Sequence, residues 1–173
     1  MMKWADKKEV FLMTLLTILC IACFPVNPLV LTGLIETERC LPSYIAGWVV
    51  WVAGMVLVMA PIVMFPRRGG VPRGKTFVHT SKLVATGIYA VVRHPQYLGG
   101  ILAIFVATPL LYPHWLFVIL GIPGAAILYL GTREEERRLV RQFGSEYEAY
   151  MKRVPRMNLI LGIIRLGRLG NVK

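Results

Sequence analysis

The sequence predicts an all-α, polytopic membrane protein with about four transmembrane helices, a C-terminal helical hairpin among them, followed by further helices on the cytoplasmic side. Three observations carry this. Hydrophobic residues make up 56% of 173 positions, too apolar for an ordinary soluble domain of this size. Three stretches, Val10–Ile35, Leu41–Pro66 and His94–Thr132, contain no Asp, Glu, Lys or Arg, and a spanning helix needs roughly 20 apolar residues. The net charge of +11 is distributed unevenly between them. Lys3, Lys7 and Lys8 precede the first stretch, and Arg67, Arg68, Arg73, Lys75, Lys82 and Arg93 separate the second from the third. Ten more Lys or Arg follow the third. With four spans every basic segment falls on one face, which the positive-inside rule makes cytoplasmic, both termini included.

Element by element, the first apolar segment is a span rather than a cleavable leader. It is long, holds Pro25 and Pro28, and lacks a clear small-residue cleavage site before Glu36. A kinked or re-entrant form around those prolines stays open. Cys20 and Cys23 form a C-x-x-C inside it, with no His or further Cys nearby, and read as packing residues. Glu36, Glu38, Arg39 and Cys40 form the first loop; nothing decides whether Cys40 is free or paired. The second span carries Gly47 and Gly54, which permit close helix contact. Residues 1–66 are thus one region with two helices, and 67–173 a second region that holds the chemistry.

Pro66 to Gly74 is a turn-rich loop. Phe77 to Val84 leads to a break at Thr86-Gly87, and Ile88–Val92 forms a short helix or turn. Proline suits a first helical position, so the third span begins at Pro95. The third stretch accommodates two short spans, broken near Pro109 and Pro113 in a tight turn through Leu110–Trp115. Thr132–Val154 is helical in composition. Gly131, Glu135, Leu139 and Phe143 share one stripe, while Glu134 and Arg138 make an attractive four-residue pair on a wetter face. Met157–Leu169 mixes leucine and isoleucine with Arg165 and Arg168, the composition of an interfacial helix or of a frayed tail.

Two polar clusters bracket the hairpin. The first runs Gly87-Ile88-Tyr89, then Arg93-His94-Pro95-Gln96-Tyr97-Leu98-Gly99. The second runs Glu134-Glu135-Glu136-Arg137-Arg138-Leu139, then Phe143-Gly144, Tyr147, Tyr150 and Val154-Pro155-Arg156. Ionisable groups at a lipid–water boundary are costly and mark functional pockets. Glutamates and tyrosine faces suit cationic groups, and Arg93, His94 and helix-start amides suit a carboxylate. Glu136 divides evenly between a site role and an ion pair with Arg133 or Arg93. His79 lies in a polar loop and His114 in the opposite turn, so neither is a candidate. No G-x-G loop follows a strand and no nucleic-acid signature is visible. Nothing in the sequence sets an oligomeric state.

These clusters resemble the isoprenylcysteine carboxyl methyltransferase family and its relatives the phospholipid methyltransferases, whose C-terminal halves read G-x-Y-x-x-x-R-H-P-x-Y-x-G, a hairpin, then E-E-x-x-L-x-x-x-F-G-x-x-Y-x-x-Y. Gly87 to Gly99 matches the first part, and Glu135-Glu136, Leu139, Phe143-Gly144, Tyr147 and Tyr150 the second. The resemblance covers about Lys82 to Arg156. It implies methyl transfer from S-adenosylmethionine to a lipophilic acceptor reached from the bilayer, an isoprenylcysteine-like carboxylate or a phospholipid amine. By resemblance the cofactor contacts are Lys82, Leu83, Val84, Tyr89, His94, Pro95, Gln96, Tyr97 and Glu135, with Glu135, Arg93 and Arg133 as catalytic candidates. One departure stands out: Gly131 occupies the place where the carboxyl methyltransferases carry an arginine for the acceptor carboxylate. Membrane sterol reductases carry a similar R-H-P-x-Y, so an NADPH-dependent reductase is the alternative enzyme. A non-enzymatic lipid-binding protein is the third reading.

Overall fold

Every regular element is helical in the computed structural model, which describes residues 28–38, 40–68 and 82–170. Most of the first apolar segment, with Cys20 and Cys23, lies outside the described residues. So do Lys3, Lys7, Lys8, Arg39, Arg73, Lys75 and His79. The α-helices are α1 (Pro28–Leu31), α2 (Leu41–Arg68), α3 (Pro95–Gly100), α4 (Ala107–Leu111), α5 (Trp115–Phe143), α6 (Ser145–Arg153) and α7 (Leu159–Gly170). A 3₁₀ turn, Gly87–Ala90, precedes α3, and a π-helical stretch, Ile101–Val106, joins α3 to α4.

The helix of the third apolar run starts at Pro95, as its sequence predicts. Continuous through Pro95–Leu111, it is about 25 Å long at 1.5 Å per residue, short of a bilayer core of about 30 Å. Pro109 sits within α4 rather than breaking it, and the turn falls at Tyr112 to His114. Two described helices, Leu41–Ala60 and Trp115–Phe143, are long and apolar enough to cross a membrane. Their surfaces fit lipid better than a soluble interior. Val49, Val52 and Val56 on α2 are exposed, as are Ile119, Ile122 and Leu130 on α5, and a helix apolar on several faces without protein cover needs an apolar solvent.

The chain divides into two compact units that interleave in sequence. In the unit formed by Met1–Met55 and Gly100–Gly131, the buried Leu111, Tyr112 and Phe117 pack with Val30, Ile35 and Tyr44. Small residues set the close approaches, as in membrane bundles generally. A Cβ on Gly47 would meet the Leu111 side chain at 2.8 Å. One on Gly124 would run into the ring of Phe105, which is itself only 5% exposed. Gly124→Ala is therefore expected to destabilise the protein by about 1–3 kcal/mol, the usual cost of overpacking, read as a lower melting temperature in detergent.

The second unit comprises Val56–Gly99 and Thr132–Lys173. Its core is Tyr147, Tyr150 and Val154, packed with Leu83, Leu139, Val140, Phe143 and Met151. The helical stretch expected over Thr132–Val154 is the end of α5 and all of α6, divided at Gly144. That residue has φ +58°, a backbone conformation natural to glycine, and turns the chain so that Tyr147 and Tyr150 face inward. Glu146 and Glu148 at the start of α6 and Lys152 and Arg153 at its end match the helix dipole.

Candidate active site

Within the second unit, the polar cluster after Thr86 is held by backbone and tyrosine contacts. Gly87 has φ +62° and opens the 3₁₀ turn that buries Tyr89. The Tyr150 hydroxyl donates to the Tyr89 carbonyl at 2.6 Å. Arg93 N–H donates to Pro155 O at 3.0 Å and His94 N–H to Arg156 O at 3.1 Å. The chain after α6 thus fixes the backbone from which the Arg93 and His94 side chains project.

Those side chains converge on Glu136, which is 3% exposed. Its carboxylate accepts from Arg156 Nε at 3.1 Å and from Arg156 Nη2. Arg93 Nη2 stands 3.1 Å from the same group and His94 Nε2 3.2 Å. The ion-pair reading of Glu136 holds for Arg93 and not for Arg133, and its other partners are His94 and Arg156. Arg156 is the residue sequence reasoning missed. It lies 20 positions from Glu136, beyond any helical spacing, and only the proline-bounded Val154-Pro155-Arg156 segment hinted at it.

Beside this cluster is a cavity lined by Lys82, Leu83, Val84, Tyr89, Arg93, His94, Pro95, Gln96 and Tyr97, by Glu135, Arg138, Leu139, Gln142 and Phe143 of α5, and by Tyr147 and Tyr150 of α6. All nine positions implied as cofactor contacts lie on it, together with Arg93. The stripe Glu135–Leu139–Phe143 forms one wall, as its spacing predicts. Arg138 and Gln142 were not anticipated there.

Two charged residues of the cavity wall hold buried atoms that make no hydrogen bond. Arg93 Nε and Nη1 are buried without a hydrogen-bond partner, and so is Glu135 Oε2. Glu135 Oε2 stands 3.7 Å from His94 Nδ1, and Glu135 Oε1 3.5 Å from Arg138 Nη2. An unpaired buried polar atom costs about 1–3 kcal/mol, more when charged, so these atoms mark where a ligand would bring partners. Burial, and then the Glu135 charge, pushes the Tyr89 hydroxyl well above its usual range. Burial does the same to Tyr150, which stays a donor to Tyr89 O at any working pH.

Arg133 is elsewhere. It is exposed and lines a separate cleft with Arg137, Arg141, Met151 and Arg156, because two residues along a helix turn a side chain by about 200°. Arg133→Ala is accordingly expected to leave ligand affinity at the Arg93–Glu135 cavity unchanged in a titration. The Glu134 carboxylate bonds to Arg137 at 2.6 Å on an exposed face, not to Arg138 as its spacing suggested. Cys40 is exposed, with a free thiol. His114 lies in the turn of the other unit, where its Nδ1 accepts from Leu116 N–H at 3.3 Å.

Known proteins resemble this chain over part of its length. Over 112 residues the chain is 28% identical to a methanethiol S-methyltransferase of Pseudomonas deceptionensis, covering 62% of this chain and 41% of that protein. It is 35% identical over 68 residues to methanethiol S-methyltransferase 2 of Bradyrhizobium diazoefficiens, covering 39% and 25%. To methanethiol S-methyltransferase 1 of the same organism it is 39% identical over 67 residues, covering 39% and 22%. The chain spans less than half the length of these curated relatives. No solved structure matches it. The phospholipid methyltransferase family matches residues 42–146, which hold α2, the Arg93–Tyr97 motif and Glu135-Glu136. On that match, which takes in more than half of the chain, the protein belongs to the phospholipid methyltransferase family.

Proposed function

We propose that this chain is an integral membrane methyltransferase that uses S-adenosylmethionine and acts on a small lipophilic acceptor. The observation that carries the reading is the set of buried polar atoms without a hydrogen-bond partner on two residues of one cavity wall, Arg93 Nε and Nη1 and Glu135 Oε2. S-adenosylmethionine has a carboxylate, a cationic amino group, a sulfonium and an adenine. The free Arg93 N–H groups suit the carboxylate, Glu135 suits the cationic end, and Leu83, Val84 and Phe143 offer apolar surface for the base. Bound there, the cofactor would supply a methyl group made electrophilic by the sulfonium. The chain's own part is to orient: Glu136 holds Arg93 and His94 in place, and His94 and Arg138 flank Glu135 from two sides.

The acceptor follows from charge. Gly131 stands where an arginine would neutralise an acceptor carboxylate, and an unpaired anion in such a site is expensive. A neutral, apolar acceptor fits better, and the relatives are named for methanethiol. A thiol attacks as its thiolate, and the Glu135 carboxylate lines the same cavity as a base for that proton. The distribution of Lys and Arg supports a cytoplasmic placement of both termini and the cavity, with the cofactor arriving from the cytosol and the acceptor from the bilayer. The reductase and lipid-binding readings lose ground to the family match and the E-E-x-x-L run.

Membranes containing the protein, given S-adenosylmethionine labelled in its methyl group, test this. Label is expected in the methyl sulfide of an added alkanethiol, and much less in a minimal prenylated cysteine or in phosphatidylethanolamine. Robust labelling of the prenylated cysteine with none of the thiol would overturn the acceptor assignment.

A further inference from the structure

The last helix packs closely on the protein along one side and leaves most of the rest of its surface exposed. α7 is capped by Asn158, whose Oδ1 accepts from Leu161 N–H at 2.9 Å. Its inward side is Gly162, which is buried. A Cβ there would collide with the Val91 carbonyl oxygen and come within 2.8 Å of the Val91 carbonyl carbon. Away from Gly162, at helical spacings of three and four, stand Ile160, Ile163 and Ile164, exposed by 74%, 59% and 47%. A further side carries Arg165 and Arg168, both exposed, with Arg165 Nη1 donating to Arg153 O at 3.4 Å.

A face of three isoleucines turned away from the protein, beside two arginines, is the pattern of a helix lying in the plane of a bilayer surface. Charge identifies the surface. From Ala149 to the end the chain has Lys152, Arg153, Arg156, Arg165, Arg168 and Lys173 and no acidic residue, which complements anionic headgroups. A zwitterionic surface lacks that match.

We propose that α7 docks on anionic lipid, with Ile160, Ile163 and Ile164 at the acyl boundary and Arg165 and Arg168 among the phosphates. Docked in this way, it clamps the backbone that carries Arg93. Val91 lies against Gly162, and two and three residues on, the backbone N–H groups of Arg93 and His94 donate to Pro155 O and Arg156 O in the segment that leads into α7. The membrane surface thereby becomes part of what holds the cavity wall, whatever reaction the cavity performs.

The test uses the full chain with Cys20, Cys23 and Cys40 changed to Ser, in nanodiscs of phosphatidylcholine and phosphatidylglycerol holding one copy each. Nitroxide labels are attached to Ile160→Cys, Ile163→Cys or Arg168→Cys, all at exposed positions that tolerate substitution. Labels at 160 and 163 are expected to collide severalfold more with oxygen than with a water-soluble nickel chelate, and the label at 168 to show the reverse. Replacing phosphatidylglycerol by phosphatidylcholine is expected to raise nickel collisions at 163. Nickel access at 160 and 163 equal to that at 168 would overturn the proposal. So would shielding that appears only when two copies share a disc, which would make the occupant a second protein chain. Equal shielding in both lipids would overturn the anionic assignment.

Discussion

Replacing Glu136 by alanine is expected to cost about 3–5 kcal/mol of stability, the penalty for removing one partner of a buried ion pair. Glu136 is the shared acceptor of Arg93, His94 and Arg156, and the Arg93 side chain is 9% exposed. Arg93 already leaves Nε and Nη1 without partners. Without the carboxylate its whole charge would be buried unpaired, and the protein would unfold or admit water there. Glu136→Gln keeps an oxygen for Arg156 but loses the charge, so its loss should be smaller than that of alanine. Thermal unfolding in one detergent at one scan rate checks this, because irreversible unfolding makes the midpoint depend on rate. A wild-type midpoint for Glu136→Ala would mean that the cluster is not buried in solution.

Glu135→Gln is expected to do the opposite: leave the melting temperature near wild type and weaken S-adenosylmethionine binding roughly ten- to hundredfold. A hydrogen bond to a charged group is worth about 1.5–3 kcal/mol, and a tenfold change in affinity is about 1.4 kcal/mol. The two neighbouring glutamates differ because of where α5 points them. Glu136 turns into the arginines and is buried, whereas Glu135 lines the cavity and makes no hydrogen bond through Oε2. Titration of both variants together with their melting curves separates a ligand contact from a structural brace. Loss of stability in Glu135→Gln with unchanged affinity would reverse the assignment.

Much of this arrangement was legible in the sequence because it is carried by local pattern. Uncharged runs marked the apolar helices. Pro95 marked a helix start, and the four-residue spacing of Glu135, Leu139 and Phe143 put them on one cavity wall. What was not legible depends on contacts distant in sequence. The carbonyls of Pro155 and Arg156 meet the Arg93 and His94 amides, and the Arg156 side chain reaches Glu136. No periodicity relates those positions, so Glu136 could not be separated from a surface glutamate, nor Arg156 from a tail charge. Arg133 shows the same limit from the other side. Its composition suited a catalytic arginine, but the rotation of α5 carries it to a different cleft. The kink at Gly144 was likewise hidden, because glycine after phenylalanine reads equally as a weak point in one helix or as the joint between two.

The cavity between Arg93 and Glu135 is proposed as a site for S-adenosylmethionine. Calorimetric titration of the detergent-solubilised wild-type protein, once with S-adenosylmethionine and once with NADPH, tests it most directly. Saturable one-site binding of S-adenosylmethionine is expected, with no heat from NADPH. Saturable NADPH binding with no response to S-adenosylmethionine would contradict it and return the protein to the reductase reading.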